Sequence, residues 1–521
     1  MNSTPTRRQF LAEVGQGMLI ASVGYAAAVD MGLASARAQE KAESLTFGTL
    51  EPLVQFMQET PTERLLPGLV ERLRVGTDLR TLTAAAALAN ARTFGGEDYV
   101  GFHTMMALSP ACRMAAELPQ AQQPLPILKV LYRNNQRIQE VGGRKAEVLR
   151  PVQPLAAGGP SVDGERLRNA VRRKDVDLAE RTFAGLAQGS ADDAFNDLLW
   201  AVQDNTEVHR VVLPYRAWDL LDLIGESHAH TLLRQSVRYC VKSEREWQHT
   251  AQADEPRTLL GKLLDEHNLV GRPAGTRPAE DAWVEQMSRT IFESSPAAAA
   301  AAAAGALAEG MTYAAVGEAI SLAANQLIVR DAGRTERDVR ANKPVGSVHG
   351  DSIGVHACDS ANAWRNMVPA GNRRNAVACL ILGAYQVALD RVGRGGDFLR
   401  WKPWPHADQL EQVRAIAPER PLAEAEAAIR ANDQARACAL VHRCGEAQLP
   451  ERPVFDLLLR YAVSEDGALH AEKYYRTVVE EFAATRKAFR WRQLVALARV
   501  TASEYGRPAP GHAEACRLLL V

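Results

Sequence analysis

The stretch Asp204-Asn-Thr-Glu-Val-His209-Arg-Val-Val-Leu-Pro-Tyr-Arg-Ala-Trp218-Asp-Leu-Leu221-Asp-Leu-Ile224 decides the reading of the fold. It opens on an acid where a helix N-cap is expected and continues with Leu213, Trp218, Leu221 and Ile224 at helical spacing. Outside it, Phe455, Leu458, Leu459 and Ala462 repeat the same period, and β-branched runs are scarce. Aromatic residues are 6% of the chain and alanine is abundant, so the expected class is all-α.

The beginning of that stretch recurs. His103, His209, His356 and His470 each have an acid five residues earlier, at Asp98, Asp204, Asp351 and Glu465. Each is preceded directly by an apolar residue, at Phe102, Val208, Val355 and Leu469. A tyrosine follows 29 or 30 residues later at Tyr132, Tyr239 and Tyr385, whereas the fourth segment has Arg499 there. Ala217-Trp218 and Ala363-Trp364 stand in nearly the same register, as do Phe195-x-x-Leu198-Leu199 and Phe455-x-x-Leu458-Leu459. The histidines are 106, 147 and 114 residues apart, which predicts four divergent repeats of roughly four helices each, the third with an insertion. Such units stack as an open solenoid or close into a ring.

The chemistry depends on which. Neutral imidazole is the commonest protein metal ligand, and a nearby acid can orient its second nitrogen. On an open solenoid equivalent histidines stand roughly 20 Å apart, from helix spacings of 8–10 Å, and share nothing. In a closed ring they meet. The competing explanation is a folding signature, in which the acids cap helices and the histidines bond to loop backbone. The segment His349-Gly-Asp-Ser-Ile-Gly-Val-His356, followed by Cys358 and Asp359, is the densest polar cluster in the chain. The candidate metal ligands are therefore His103, His209, His349, His356 and His470, with iron or zinc as the expected ion. The candidate catalytic residues are Asp98, Asp204 and Asp351, as orienting acids, and Tyr132, Tyr239 and Tyr385, lining a central cavity. Asp219, Asp222 and Glu226, with Arg216 a turn earlier, read as a solvated helix face; if that helix is buried, Arg216 and Asp222 become a charge pair.

The 521 residues carry 61 basic and 62 acidic side chains, so no global charge favours nucleic acid or anionic lipid. The first residues read as an address: Thr6-Arg7-Arg8-Gln9-Phe10-Leu11, an apolar stretch from Gly17 to Val29, then Ala36-Arg37-Ala38 before Gln39. They resemble a twin-arginine export signal, which implies the matching export machinery as a partner and a periplasmic or extracellular mature protein. No later run of 18 apolar residues occurs, so no membrane span is expected after signal removal. Seven cysteines form no C-x-x-C pair, and Cys438 with Cys444 is a poor disulfide candidate on one helix. Walker, G-x-G-x-x-G, H-E-x-x-H and G-x-S-x-G motifs are absent. Ser295 and Pro296 introduce Ala297 to Ala304, which reads as a closely packed buried helix.

Pro151 to Gly164, Ala251 to Glu280 and Val392 to Pro405 are the breaks in this pattern. They divide the chain into a signal peptide (1–38) and helical units at 39–150, 151–255, 256–395 and 396–521. Val355-His356-Ala357 and the segment from His209 to Leu221 resemble the questin-oxidase-like helical proteins. That resemblance implies recurring histidine-bearing helices and oxygenation of aromatic, polyketide-derived small molecules. The export signal departs from that family and sets its nicotinamide-linked chemistry in doubt outside the cytoplasm. The functional expectation is an exported helical protein with a histidine-lined site acting as a metal-dependent oxidoreductase. Its rival is a non-catalytic helical-repeat binding or scaffold protein of the periplasm.

Overall fold

A computed structural model describes residues 44–155, 163–246, 251–339, 343–350, 352–417 and 420–521. The export address and Asp351 lie outside the described residues. Among the described residues there are 23 α-helices, short 3-10 turns and no strand, so the chain is all-α as its composition implies. Thr46–Val521 clusters as one unit.

Local chemistry sets the helix ends. The Leu79–Phe94 helix starts where the Asp78 carboxylate accepts the Thr81 N–H at 2.8 Å and stops at Gly95, whose φ of 56° suits a residue without Cβ. Its interior, Leu82 to Phe94, is buried on every side. The alanine-rich Pro296–Ala308 helix is capped by Ser295 as expected, but only one face is covered: Ala299, Ala300, Ala303 and Ala304 are buried while Ala298 and Ala301 are exposed. It packs on Arg373–Arg394, a helix long and apolar enough to cross a membrane, 72% of whose apolar window is buried within the protein. All seven cysteines are free.

Four helices begin near a histidine: Tyr99–Ala115, Val208–Ile224, Ile353–Ala370 and His470–Ala484. The first packs on the second, the second on the third, the third on the fourth and the fourth on the first. Contacts along their length advance in step from the histidines. Thr477 donates to Asp359, Arg216 to Asn362 and Thr477, Asn362 to Glu481, and Asn366 to Glu480. Residues at growing offset from one histidine therefore meet residues at growing offset from another. The four helices run parallel, all with their N-terminal ends together.

Parallel neighbours need return segments. Each of the four packs on the helix before it (Leu79–Phe94, Ala191–Val202, Tyr313–Val329, Arg452–Ser464) and on the helix after it (Pro124–Glu140, Ala229–Glu246, Arg373–Arg394, Trp491–Glu504). Four arginines are buried with acceptors in reach. Arg92, Arg210, Arg216 and Arg499 are fully buried. Arg92 meets Glu51 at 2.8 Å and Glu147 at 3.1 Å; Arg210 meets Glu244 at 2.8 Å. Arg499, standing where the other segments have tyrosine, donates to the Ile328 and Asp331 carbonyls at the end of Tyr313–Val329. A guanidinium there satisfies carbonyls that the helix end leaves open.

Candidate metal centre

The parallel N-termini bring four imidazoles into a cycle. His103 Nε2 lies 3.2 Å from His209 Nε2, and His356 Nε2 lies 3.0 Å from His470 Nε2. The remaining neighbours close the cycle, with ring centroids 5.0 Å apart for His103 and His470 and 5.7 Å for His209 and His356. One ligand atom from each of His103, His356 and His470 falls within 4.8 Å of the others.

The other ring nitrogens fix the tautomers. His103 Nδ1 is 2.7 Å from the Tyr99 carbonyl and His470 Nδ1 is 3.1 Å from the Ala468 carbonyl. A carbonyl only accepts, so each Nδ1 carries the hydrogen and each neutral Nε2 presents a lone pair. His209 Nδ1 donates in the same way to Glu207 Oε1 at 2.6 Å. The Nε2 lone pairs of His103 and His209 thus face each other at 3.2 Å, an arrangement that requires a cation between them, either a proton or a metal ion. Bonds of about 2.0–2.1 Å to one metal place neighbouring nitrogens about 2.9 Å apart at right angles and about 3.4 Å apart in a tetrahedron. The observed 3.0 and 3.2 Å fall between these limits.

The surroundings keep two of the four rings neutral. Burial, then the Lys473 charge, hold His103 and His470 well below the usual histidine range. Lys473 sits one turn beyond His470, 2% exposed, and burial lowers its ammonium to about 8 against the pull of Asp359. Burial raises Glu207, yet His209 and hydrogen bonds outweigh it and hold the carboxyl at about 2. Its Oε2 also accepts the Tyr239 hydroxyl at 2.8 Å and the Arg210 N–H at 3.0 Å, so one side chain caps the helix and orients the imidazole. Ala468 and Leu469 hold His470 in place with φ of 52° and 69°, left-handed backbone that costs roughly 1–2 kcal/mol per residue.

Of the residues singled out in the sequence, His103, His209, His356 and His470 come together. His349 takes Arg507 Nη1 at 2.8 Å instead. Asp98 caps its helix at Gly101 and binds Arg137 at 2.7 Å; Asp204 receives Arg172 at 2.6 and 2.7 Å. The acid on His209 is Glu207, two residues before it, not Asp204. Tyr239 joins through Glu207, whereas Tyr385 donates to Glu255 at 2.9 Å and Tyr132 borders Gly511. Arg216 is buried, 3.6 Å from both Asp219 and Glu480, while Asp222 stays 79% exposed on Arg113. Glu207 and Lys473 are the groups that sequence reading passed over. A carboxylate two residues before a helix-opening histidine and a lysine one turn after another were their only signals.

A cavity of about 570 Å³ opens beside the cycle, with His356, Ser352 and Ile353 in its wall. No family model, curated protein or solved structure matches this chain.

Proposed function

We propose that the chain is an exported metal protein in which His103, His209, His356 and His470 hold one transition-metal ion, and that this centre oxidises a small molecule. The observation that carries the reading is the facing pair of Nε2 lone pairs, His103 against His209, on rings whose Nδ1 hydrogens are already committed. Imidazole-only donor sets suit zinc, copper, iron and nickel. Iron is the ion favoured for an oxidation, zinc the alternative. Iron would supply an electron-accepting, Lewis-acidic centre when bound, zinc a Lewis-acidic one alone. The chain's part is to keep the His103 and His470 rings neutral by burial, to fix the His209 ring through Glu207 and Tyr239, and to leave the His356 side open to a cavity.

The cyclic packing of four parallel helices, each between a preceding and a following helix, supports the further proposal that the histidine segments are divergent repeats closed around an axis. The likeness of Val355-His356-Ala357 to the questin-oxidase-like proteins favours oxygenation as the type of reaction. The twin-arginine pattern favours a periplasmic location, which fractionation of cells expressing the full chain tests.

Metal analysis of the purified mature protein is the primary test. The expected result is a stoichiometric transition metal, lost in the His209→Ala, His356→Ala double variant. Metal-free protein whose stability is unchanged in that variant overturns the proposal in favour of a helical scaffold.

A further inference from the structure

A second cavity, of about 280 Å³, lies among the helices Asp281–Glu293, Tyr313–Val329, Gln434–Glu446 and Trp491–Glu504. Buried polar atoms without partners collect on its wall. Asn325 is 0% exposed, and its Nδ2 donates to the Arg492 carbonyl at 3.1 Å and to Gln493 Oε1 at 3.2 Å. Its Oδ1 has no hydrogen-bond partner among the described residues. Turning the amide over would set that oxygen against the Arg492 carbonyl, acceptor against acceptor, so the unmatched atom is the oxygen. His442 Nδ1 is buried without a hydrogen bond as well, 3.9 Å from Glu446 Oε2 and beyond bonding reach. Buried acceptors are ordinarily matched, because leaving one unmatched forfeits the hydrogen bond it had in water.

The rest of the wall supplies a ring surface and an ion pair. Trp404, half-buried between Pro403 and Pro405, has the Arg499 guanidinium 4.0 Å from its ring centroid on one face, and Arg499 is itself held by the Ile328 and Asp331 carbonyls. Glu285 and Arg492 pair at 2.9 Å, with side chains 38% and 39% exposed. Arg330 is committed to Gln326 Oε1 at 2.8 Å and to the Trp401 carbonyl at 2.7 Å. We propose that this cavity binds one pyranose ring of a neutral sugar. A C–H face of the ring lies on the free face of Trp404, one hydroxyl donates to Asn325 Oδ1, a second to His442 Nδ1, and an outer hydroxyl bridges Glu285 and Arg492. Unmatched acceptors at two places in the wall call for two donors on one small ring, which a polyol carries. An ammonium ligand would meet Arg330 and Arg492, and a carboxylate would meet Glu285 and the open Asn325 oxygen. The volume suits a single ring. This site stands apart from the histidine cycle and does not depend on a metal there.

The probes are the methyl pyranosides of glucose, galactose and mannose, with tetrahydropyran as the same ring without hydroxyls, each titrated into the purified full chain and followed by saturation-transfer NMR. At least one pyranoside is expected to bind with a Kd of about 1 mM or tighter, and tetrahydropyran about 10-fold more weakly. Trp404→Ala is expected to lose about 10-fold in pyranoside affinity through the missing ring surface. Glu285→Ala, on an exposed side chain, is expected to lose several-fold with an unchanged melting temperature. It decides the matter alone where Trp404→Ala melts too low to titrate. No binding of any of the three pyranosides up to about 10 mM, tetrahydropyran binding as tightly as they do, or indifference of the variants overturns the sugar site.

Discussion

Glu207→Gln isolates the carboxylate that orients His209. In the native protein Glu207 accepts His209 Nδ1–H at 2.6 Å, Tyr239 O–H at 2.8 Å and the Arg210 N–H at 3.0 Å, with its side chain 19% exposed. Its carboxyl is held down to about 2 from 4.5. That difference, at 1.36 kcal/mol per pH unit, corresponds to about 3 kcal/mol favouring the ionised form in the folded state. Glutamine still offers one oxygen, so the expected loss at pH 7 is about 2 kcal/mol, the size of a charge-assisted hydrogen bond. The sign of the pH dependence follows from the depressed value. The stabilisation is complete above about 4.5 and is lost as pH falls through about 2, so the gap between wild type and variant narrows across that window. Urea unfolding at pH 7 and at steps between 5 and 2 measures it. Metal titration of the same variant is expected to show affinity lowered 10–100-fold, as for other groups that orient a ligand imidazole. Equal stability at pH 7, a gap that widens on acidification, or unchanged metal affinity would refute the role given to Glu207.

Three further outcomes are expected. Burial raises Glu504 to about 7, so the folded state binds a proton that the unfolded state has released above 4.5; stability should fall by about 3 kcal/mol as pH rises from 4.5 past 7. Glu504→Gln keeps an acceptor for the Gly350 N–H and should flatten that slope in pH-dependent urea unfolding, whereas parallel slopes would contradict it. Arg92→Met should cost about 2–3 kcal/mol by removing the 2.8 Å partner of Glu51 and one of the partners of Glu147, which keeps Arg150 at 3.1 Å, and adding Glu147→Gln should restore only part of the loss in the same assay. Gly96→Ala, at φ 82° with a new Cβ 2.3 Å from the Gln235 carbonyl, should lower the melting temperature well beyond Gly310→Ala, where φ is 84° and nothing lies within 4 Å. Similar shifts for the two would rule out the close backbone approach as the cause.

The helical class was legible because it depends on local terms: alanine content, 3.6-residue apolar spacing, and caps such as Asp78 and Ser295. The extent of burial was not, since it depends on what packs against each face. The Ala297 to Ala304 run looks uniformly apolar, yet the protein covers one side of it only. The recurring acid was legible as a residue type and misleading as a partner. Asp98 is a cap, but the Val208–Ile224 helix starts four residues beyond Asp204, so Glu207 takes both the cap and the imidazole. Likewise Arg216 finds Glu480, 264 residues later in the chain, in place of Asp222 on its own helix.

The sequence by itself determined that the described chain is helical and that four histidines share a local setting at the start of four helices. Local propensity and spacing carry that much, because each is set within a turn or two of chain. Whether those histidines stand tens of ångströms apart or 3.0–3.2 Å apart was decided only by the tertiary structure. The direction in which one helix packs on the next is a sum of many side-chain contacts between residues more than a hundred positions apart. That sum turned the four N-terminal ends toward one another and gathered four imidazoles into one cycle.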